Sequence, residues 1–251
     1  MAKDKRPIIL CIAGFDPSGG AGILADIKTT ESIGVYGIGV VTSMTVQTEN
    51  VFEKLQWRNI SDIIYEIQFL IQHYPVQYAK IGIVQNLQML KKIVQLLYQH
   101  QVKIIWDPIL KSSTNQVFFD RKNLSKVYDI INKIYCITPN ANEVLELTSY
   151  NNVEIAGQHL SQYCNLIIKG GHRSTKKGID SLYLKNKNKP IEFFPNKKLK
   201  IFSKHGSGCV FSTALTSYLA KNYSLTQATQ LAKQYTEKFL ASNKTLLGYH
   251  S

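Results

Sequence analysis

The residues best suited to chemistry in this 251-residue chain lie in two glycine-rich turns. In the second, Gly206-Ser207-Gly208-Cys209 opens an apolar helix expected over residues 208–221, with His205 just before it. Free N–H groups at a helix N-terminus, unobstructed by bulky side chains, form an anion hole. A plain N-cap by Ser207 would contribute about 1 kcal/mol, but a cap does not call for two flanking glycines beside a thiol. The first turn runs from Gly14 to Gly22 as Gly-Phe-Asp-Pro-Ser-Gly-Gly-Ala-Gly. Gly14 and Gly19 have the spacing of a phosphate-binding P-loop, yet Gly20 and Ala21 stand where that pattern requires Lys and Ser or Thr. Without the lysine the loop lacks its point charge, so the P-loop reading fails. The stretch 20–25 also fits G-x-G-x-x-A. However, five loop residues precede it, and Gln47 rather than an acid ends the second strand, which argues against a dinucleotide site.

Strand ends and helix starts must hold these turns. Residues 8–14 are continuously apolar, the pattern of a strand buried on both faces. A helix is expected over 21–33, stopped by Gly34, then a strand at 39–46 and a helix at 60–73. Next come a strand at 78–84, a helix at 87–100 and a strand at 102–106, which Asp107-Pro108 ends. Strands at 134–138 and 166–169 close on Pro139 and on Gly170-Gly171. Three short segments, 181–184, 191–194 and 199–202, read as an antiparallel meander, and helices at 208–221 and 225–243 finish the chain. Repeated β-α-β with a late antiparallel patch predicts an α/β fold with a mostly parallel sheet, in one domain over residues 1–251.

Composition narrows the function classes. Lys and Arg number 30 against 17 Asp and Glu, a formal +13, and the segment 169–204 carries +9 of it in eleven basic and two acidic residues. Nucleic-acid binding would explain such a segment, as would steering of phosphorylated small molecules. A third source is compositional drift, because the chain is rich in Lys, Asn, Ile and Tyr. No apolar run approaches the roughly 18 residues of a membrane-spanning helix. The four cysteines (11, 136, 164 and 209) are scattered with no CxxC, which argues against a zinc or dithiol site and suggests a reduced, cytoplasmic protein. The opening MAKDKRPIILCIAGF imitates a signal peptide only superficially: Asp4 interrupts the basic region, and Asp16-Pro17-Ser18-Gly19-Gly20 follows where cleavage would occur.

Six blocks in order carry a resemblance: IAGFDPSGGAGILADIKT (12–29), KIGIV (80–84), DPIL (107–110), ITPNANE (137–143), IIKGGH (167–172) and HGSGCVFSTALTSYLA (205–220). Over almost its whole length the chain resembles the hydroxymethylpyrimidine and phosphomethylpyrimidine kinases of thiamine biosynthesis, within the ribokinase-like superfamily. The resemblance implies a three-layer α/β/α sandwich that transfers the γ-phosphoryl of ATP to 4-amino-5-hydroxymethyl-2-methylpyrimidine and then to its monophosphate. It implies that Gly206, Ser207 and Gly208 hold the transferring group, that Cys209 is the base, and that Asp107 and Glu143 bind Mg²⁺. Lys169, Asn140 and Lys244 would meet ATP. Gln47 would read the pyrimidine, its amide matching an amino group and the adjacent ring nitrogen. Gly14, Asp16, Ala21, Asp26, Ile83 and Ile109 would line the acceptor pocket. Superfamily members often pair through exposed hairpins, which makes a homodimer the expectation.

Three features depart from the family pattern. Leu110-Lys111-Ser112-Ser113-Thr114 replaces a Met and Ser-Gly flap, Lys204 stands where threonine is usual, and the C-terminal glycine-rich motif is reduced to residues 243–250. Within the superfamily the runner-up is a pyridoxal or pyridoxine kinase, and from a different class a non-catalytic nucleic-acid-binding protein. Tyr183, Phe193, Phe194 and Phe202, which fall among the basic residues, are expected mainly on strands facing the core, which argues against the latter.

A free thiol titrates near ~8.5 and a helix N-terminus lowers that value, so Cys209 is expected to be partly thiolate. An alcohol acceptor must lose a proton, whereas a phosphate acceptor is already ionised. Cys209→Ala therefore harms the first phosphorylation more than the second in a steady-state assay; equal losses in both steps would contradict this.

Overall fold

Strand β1 (Ile8–Phe15) is buried along nearly its whole length and divides its side chains between two cores. Leu10 and Ile12 join one apolar cluster, and Ile9, Cys11 and Ala13 join another on the opposite face. That division is the period-2 alternation of a strand covered on both sides. The computed structural model describes residues 6–110, 124–173 and 176–251. The expected flap positions Lys111, Ser112, Ser113 and Thr114 lie outside the described residues.

Nine strands among the described residues form one sheet, ordered β3-β2-β1-β4-β5-β6-β7-β8-β9. They are β1, β2 (Tyr36–Gln47), β3 (Phe52–Trp57), β4 (Tyr78–Ile81), β5 (Lys103–Trp106), β6 (Cys136–Ile137), β7 (Asn165–Ile168), β8 (Asp180–Tyr183) and β9 (Ile191–Phe193). Pairings from β2 through β7 are parallel, and β3, β8 and β9 add antiparallel edges. Helices α2 (Ile60–His73), α3 (Leu87–Gln99), α4 (Leu124–Ile131), α5 (Ala141–Glu146) and α6 (Val153–Leu160) cover one face. Helices α1 (Gly22–Ile33), α7 (Ser207–Ala220) and α8 (Leu225–Ala241) cover the other. The result is the expected three-layer α/β/α sandwich. No helix among the described residues is long and apolar enough to cross a membrane.

The chain runs from β1 out to β2, then returns to β4 on the other side of β1. Loops leaving β1 and β4 diverge there and open a crevice at the strand C-termini, where ligands bind in open α/β sheets. Helix α7 is buried at 209–217, Leu219 and Ala220, so it acts as an inner element rather than a surface helix.

Four elements escape the sequence pattern. Strand β3 is a partly exposed edge whose Glu53, Lys54 and Gln56 weaken its apolar signal. Helices α4, α5 and α6 have six to eight residues, too few for a periodicity to declare itself. One expected strand is absent: residues 199–202 have no ladder. Leu199 N–H closes a turn on Asn196 O (3.1 Å), and Phe202 N–H bonds to Leu240 O (3.0 Å) at the end of α8.

Beneath α7 lies an ion pair between Lys80 on β4 and Asp26 on α1, at 2.8 Å, with both side chains fully buried. Thr213 Oγ1 donates to the same carboxylate at 2.6 Å. Burial pushes Lys80 down, but Asp26 outweighs it, with Cys209 and Asp107 adding to the effect, and holds the ammonium well above its usual pKa. Breaking such a pair from one side costs about 3–5 kcal/mol, so it fixes α1, β4 and α7 relative to one another. This corrects the expectation that Asp26 lines the acceptor pocket. Its carboxylate is consumed in the core.

Candidate active site

The first turn of α7 sits on the turn between β1 and α1. Gly206 adopts a left-handed conformation (φ 74°) that glycine takes without strain. A Cβ there would collide with the Gly20 carbonyl oxygen and lie 2.7 Å from Ala21 Cα. Gly22, at φ 60°, meets the Gly14 carbonyl in the same way. No side chain caps α7, so Ser207 is its first residue and not its cap, and the amides of its first turn are left for a ligand.

Asp16 fastens the two turns together. Its carboxylate accepts from Ser18 N–H (2.9 Å), Ser18 Oγ (2.8 Å), Ala21 N–H (2.9 Å) and His205 Nε2 (2.9 Å). Burial raises its pKa, but the bonds from His205, Ser18 and Ala21 prevail and leave it below the usual carboxylate value. Asp16 is 2% exposed, so it builds the turn. It is not among the residues that line the cavity beside these turns.

A cavity of about 380 Å³ opens before the α7 N-terminus. Ala21, Ile109, Gly206, Ser207, Gly208 and Cys209 line one end. Asp107, Asn140, Glu143 and Lys169 line its side: Asp107 and Lys169 directly follow β5 and β7, and Asn140 and Glu143 lie at the start of α5. Lys169 Nζ bonds Asp107 Oδ1 at 2.6 Å, and Thr138 Oγ1 supports that oxygen at 3.2 Å. Burial pushes Lys169 down, yet Asp107 and Glu143 more than offset it and hold the ammonium protonated above its usual value. Asn140 caps α5 and forms a capping box with Glu143, whose Oε2 accepts the Asn140 N–H at 2.7 Å. Burial raises Glu143 to about 7, with Lys169 opposing and Asp107 reinforcing the rise. The far end is apolar through Pro195, Ile201, Phe211 and Leu240. There Lys233 Nζ pairs with Asp180 (3.1 Å) and Glu237 (3.4 Å).

The residues fit a magnesium ion. Asp107 and Glu143 supply hard carboxylate oxygens on one wall, and Glu143 has a second oxygen beyond the one in its capping box. Mg²⁺ takes few carboxylates and keeps several waters.

Cys209 reverses an expectation. It is 7% exposed, and burial pushes its thiol up. Lys80 and a bond from the Gly22 N–H oppose the rise, while Asp26 and Asp107 add to it, so the thiol ends above its usual value. The helix terminus does not make it a thiolate at neutral pH.

Four more expected residues, Gln47, Gly14, Ile83 and Lys244, lie outside the cavity lining. Gln47 ends β2 beside a register shift after Val46. Gly14 and Ile83 touch each other across β1 and the β4 end: a Cβ on Gly14 would fall 2.9 Å from Ile83 Cγ2 and 2.8 Å from Ser43 Oγ. Lys244 is also outside it, and exposed. Ser43, which the sequence does not single out, carries a buried hydroxyl with no hydrogen-bond partner among the described residues. Lys80 and Lys233 likewise carry no sequence signal, because their carboxylate partners Asp26 and Asp180 are 54 and 53 residues away.

The phosphomethylpyrimidine kinase family model matches residues 16–251. The chain is 33% identical over 251 residues to the bifunctional thiamine biosynthesis protein ThiDN of Methanocaldococcus jannaschii, covering 97% of this chain and 56% of that protein. It thus spans about half the length of that relative. To the hydroxymethylpyrimidine/phosphomethylpyrimidine kinase of Aquifex aeolicus it is 29% identical, covering 95% and 96%. Among solved structures, the phosphomethylpyrimidine kinase of Clostridium difficile superposes with a TM-score of 0.77 at 30% identity, covering 93% and 99%. The pyridoxal kinase of Bacillus subtilis shares the fold, with a TM-score of 0.83 at 23% identity and 98% of each chain covered.

Gly206→Ala places a methyl group against the Gly20 carbonyl at a left-handed position. It is expected to cost about 1–3 kcal/mol in urea denaturation and to abolish turnover even where the variant stays folded. An active, equally stable variant would contradict the geometry.

Proposed function

The chain belongs to the phosphomethylpyrimidine kinase family, phosphotransferases of thiamine biosynthesis, and from that premise we propose that it moves the γ-phosphoryl of ATP onto 4-amino-5-hydroxymethyl-2-methylpyrimidine and then onto its monophosphate. One observation carries this reading: the uncapped amides of α7, Cys209 and the Asp107–Lys169 pair face a single cavity. Phosphoryl transfer needs positioning and electrostatic stabilisation more than covalent chemistry.

The amides of Ser207, Gly208 and Cys209 bind the transferring group as its oxygens gain charge. Lys169 exchanges its bond to Asp107 for one to the nucleotide phosphates, and the apolar far end takes the base. Asn140 orients the Glu143 carboxylate through its capping box, and Lys244 reaches the nucleotide from the C-terminal segment. Mg²⁺ held by Asp107 and Glu143 would neutralise charge on the phosphates. Gln47 reads the aminopyrimidine, with Gly14, Ala21, Ile83 and Ile109 around it. In the first step the acceptor O–H proton passes to the Cys209 thiolate as the oxygen attacks phosphorus and the bond to ADP breaks. In the second, the acceptor oxygen is already ionised.

The reading favours pyrimidine over pyridoxal because the pyridoxal kinases share only the fold at this level of identity. A second copy of the chain suits the β2–β3 hairpin, where Met44, Val46 and Val51 are 46%, 52% and 61% exposed. Light scattering is expected to give twice the 28.4 kDa chain mass; a monomer at all concentrations would sink the dimer.

An ADP-release assay with Mg·ATP, offering the pyrimidine, its monophosphate and pyridoxal in parallel, tests the activity. Turnover of the first two with pyridoxal far slower is expected, whereas preference for pyridoxal would move the chain to the vitamin B6 kinases. Because the base acts as thiolate and its pKa is raised, the alcohol rate should climb with pH above neutrality. The monophosphate rate should not follow it; parallel profiles would remove Cys209 as base.

A further inference from the structure

Lys204 stands two residues before Gly206, at a position where the family pattern usually has threonine. The residue is 6% exposed, and its ammonium donates to Asn243 O (2.6 Å), Asn243 Oδ1 (2.9 Å) and Thr245 O (2.6 Å). All three acceptors are neutral, and the Phe202 ring lies 5.7 Å from Nζ on another side. Buried ammonium groups are normally paired with carboxylates, as Lys80, Lys169 and Lys233 are here. A cage of uncharged carbonyl oxygens is instead the environment that replaces the hydration shell of a monovalent cation.

The cage belongs to the same unit as the anion hole. Asn243 and Thr245 begin the segment after α8, and Asn243 Nδ2 and Thr245 Oγ1 both bond to Leu247 O, at 2.8 and 3.0 Å. His205 N–H donates to Leu246 O at 2.9 Å, and Leu247 packs against Gly20, where a Cβ would lie 2.7 Å from Leu247 Cδ2. The tail that wraps the ammonium therefore also braces the two interlocked turns.

We propose that Lys204 is a tethered monovalent cation: its ammonium fills an all-oxygen cage behind the anion hole, orders the 243–247 tail and adds fixed positive charge. The protein then needs no dissolved K⁺ or NH₄⁺, and truncating the side chain leaves a site of the class that binds them. A fixed charge beside a group that gains negative charge in the transition state is worth most when it needs no reorganisation. The activity arm of the test rests on the kinase reading; the binding arm does not.

Lys204→Met and Lys204→Thr, prepared in choline chloride, are titrated with KCl and NH₄Cl at constant ionic strength while the thermal midpoint is followed. Both variants should gain stability with K⁺ or NH₄⁺ but not with choline, since a ligand that binds only the folded state raises its midpoint. Wild type should respond to neither. In the phosphorylation assay, wild type should change less than about twofold between choline and K⁺, whereas the variants should fall roughly tenfold in choline and recover with NH₄⁺ or K⁺. Wild type that requires K⁺, or variants that respond to neither cation in both readouts, would overturn the proposal. A variant that folds only with K⁺ or NH₄⁺ supports it, and one that folds in none of the three salts counts against it. If wild type fails to phosphorylate the pyrimidine, the kinase reading falls while the thermal titration still decides the cation site.

Discussion

The seating of α7 on the β1–α1 turn is the contact on which the rest of the site depends. Gly206 lies against the Gly20 carbonyl at a separation only a residue without Cβ permits, and Asp16 joins the turns through His205. A helix terminus in this position leaves its first amides without a partner and points their partial positive charge into the crevice. Helix α7 can be seated this deeply because it is buried along most of its length and anchored from below through Thr213 and Asp26. The anion hole is thus set by core packing, and its geometry follows from elements far apart in the chain.

Three lysines surround this terminus, each held in a different way. Lys80 is locked to Asp26 in the core, Lys169 is bonded to Asp107 at the cavity wall, and Lys204 is wrapped by carbonyls behind the turn. The first two remain protonated because carboxylates more than offset their burial. Their roles differ accordingly. Lys80 is structural, while Lys169 is 16% exposed and can exchange its partner for an incoming phosphate. Asp107 touches Lys169, Thr138 and Ser212 at once, so this wall is tied to the same helix that carries the amides.

Much of this was legible in the sequence. The apolar run of β1, the two glycine turns and the proline stops after β5 and β6 gave the layer order and the position of the crevice. The candidate residues on strand ends and helix starts (Asp107, Asn140, Glu143, Lys169 and the α7 turn) stand out by their motifs, and the structure brings them to one cavity. What could not be read depends on partners distant in sequence. Asp26 looked like a pocket acid until Lys80, 54 residues on, neutralised it. Cys209 looked activated by a helix terminus, but burial outweighs that effect. Lys204 stands out in the sequence only as a departure from the family pattern, yet its ammonium has three oxygen partners. The short helices α5 and α6 and the edge strand β3 were missed because capping and pairing, rather than periodicity, define them.

A crystal structure with a non-hydrolysable ATP analogue and the hydroxymethylpyrimidine would test most directly whether the α7 terminus receives the transferring group. The account predicts the terminal phosphate within hydrogen-bond distance of the Ser207, Gly208 and Cys209 amides, with Lys169 turned from Asp107 toward the phosphates and the acceptor oxygen between that phosphate and Cys209. A terminal phosphate bound at the β1–α1 turn, with the α7 amides facing only water, would contradict it.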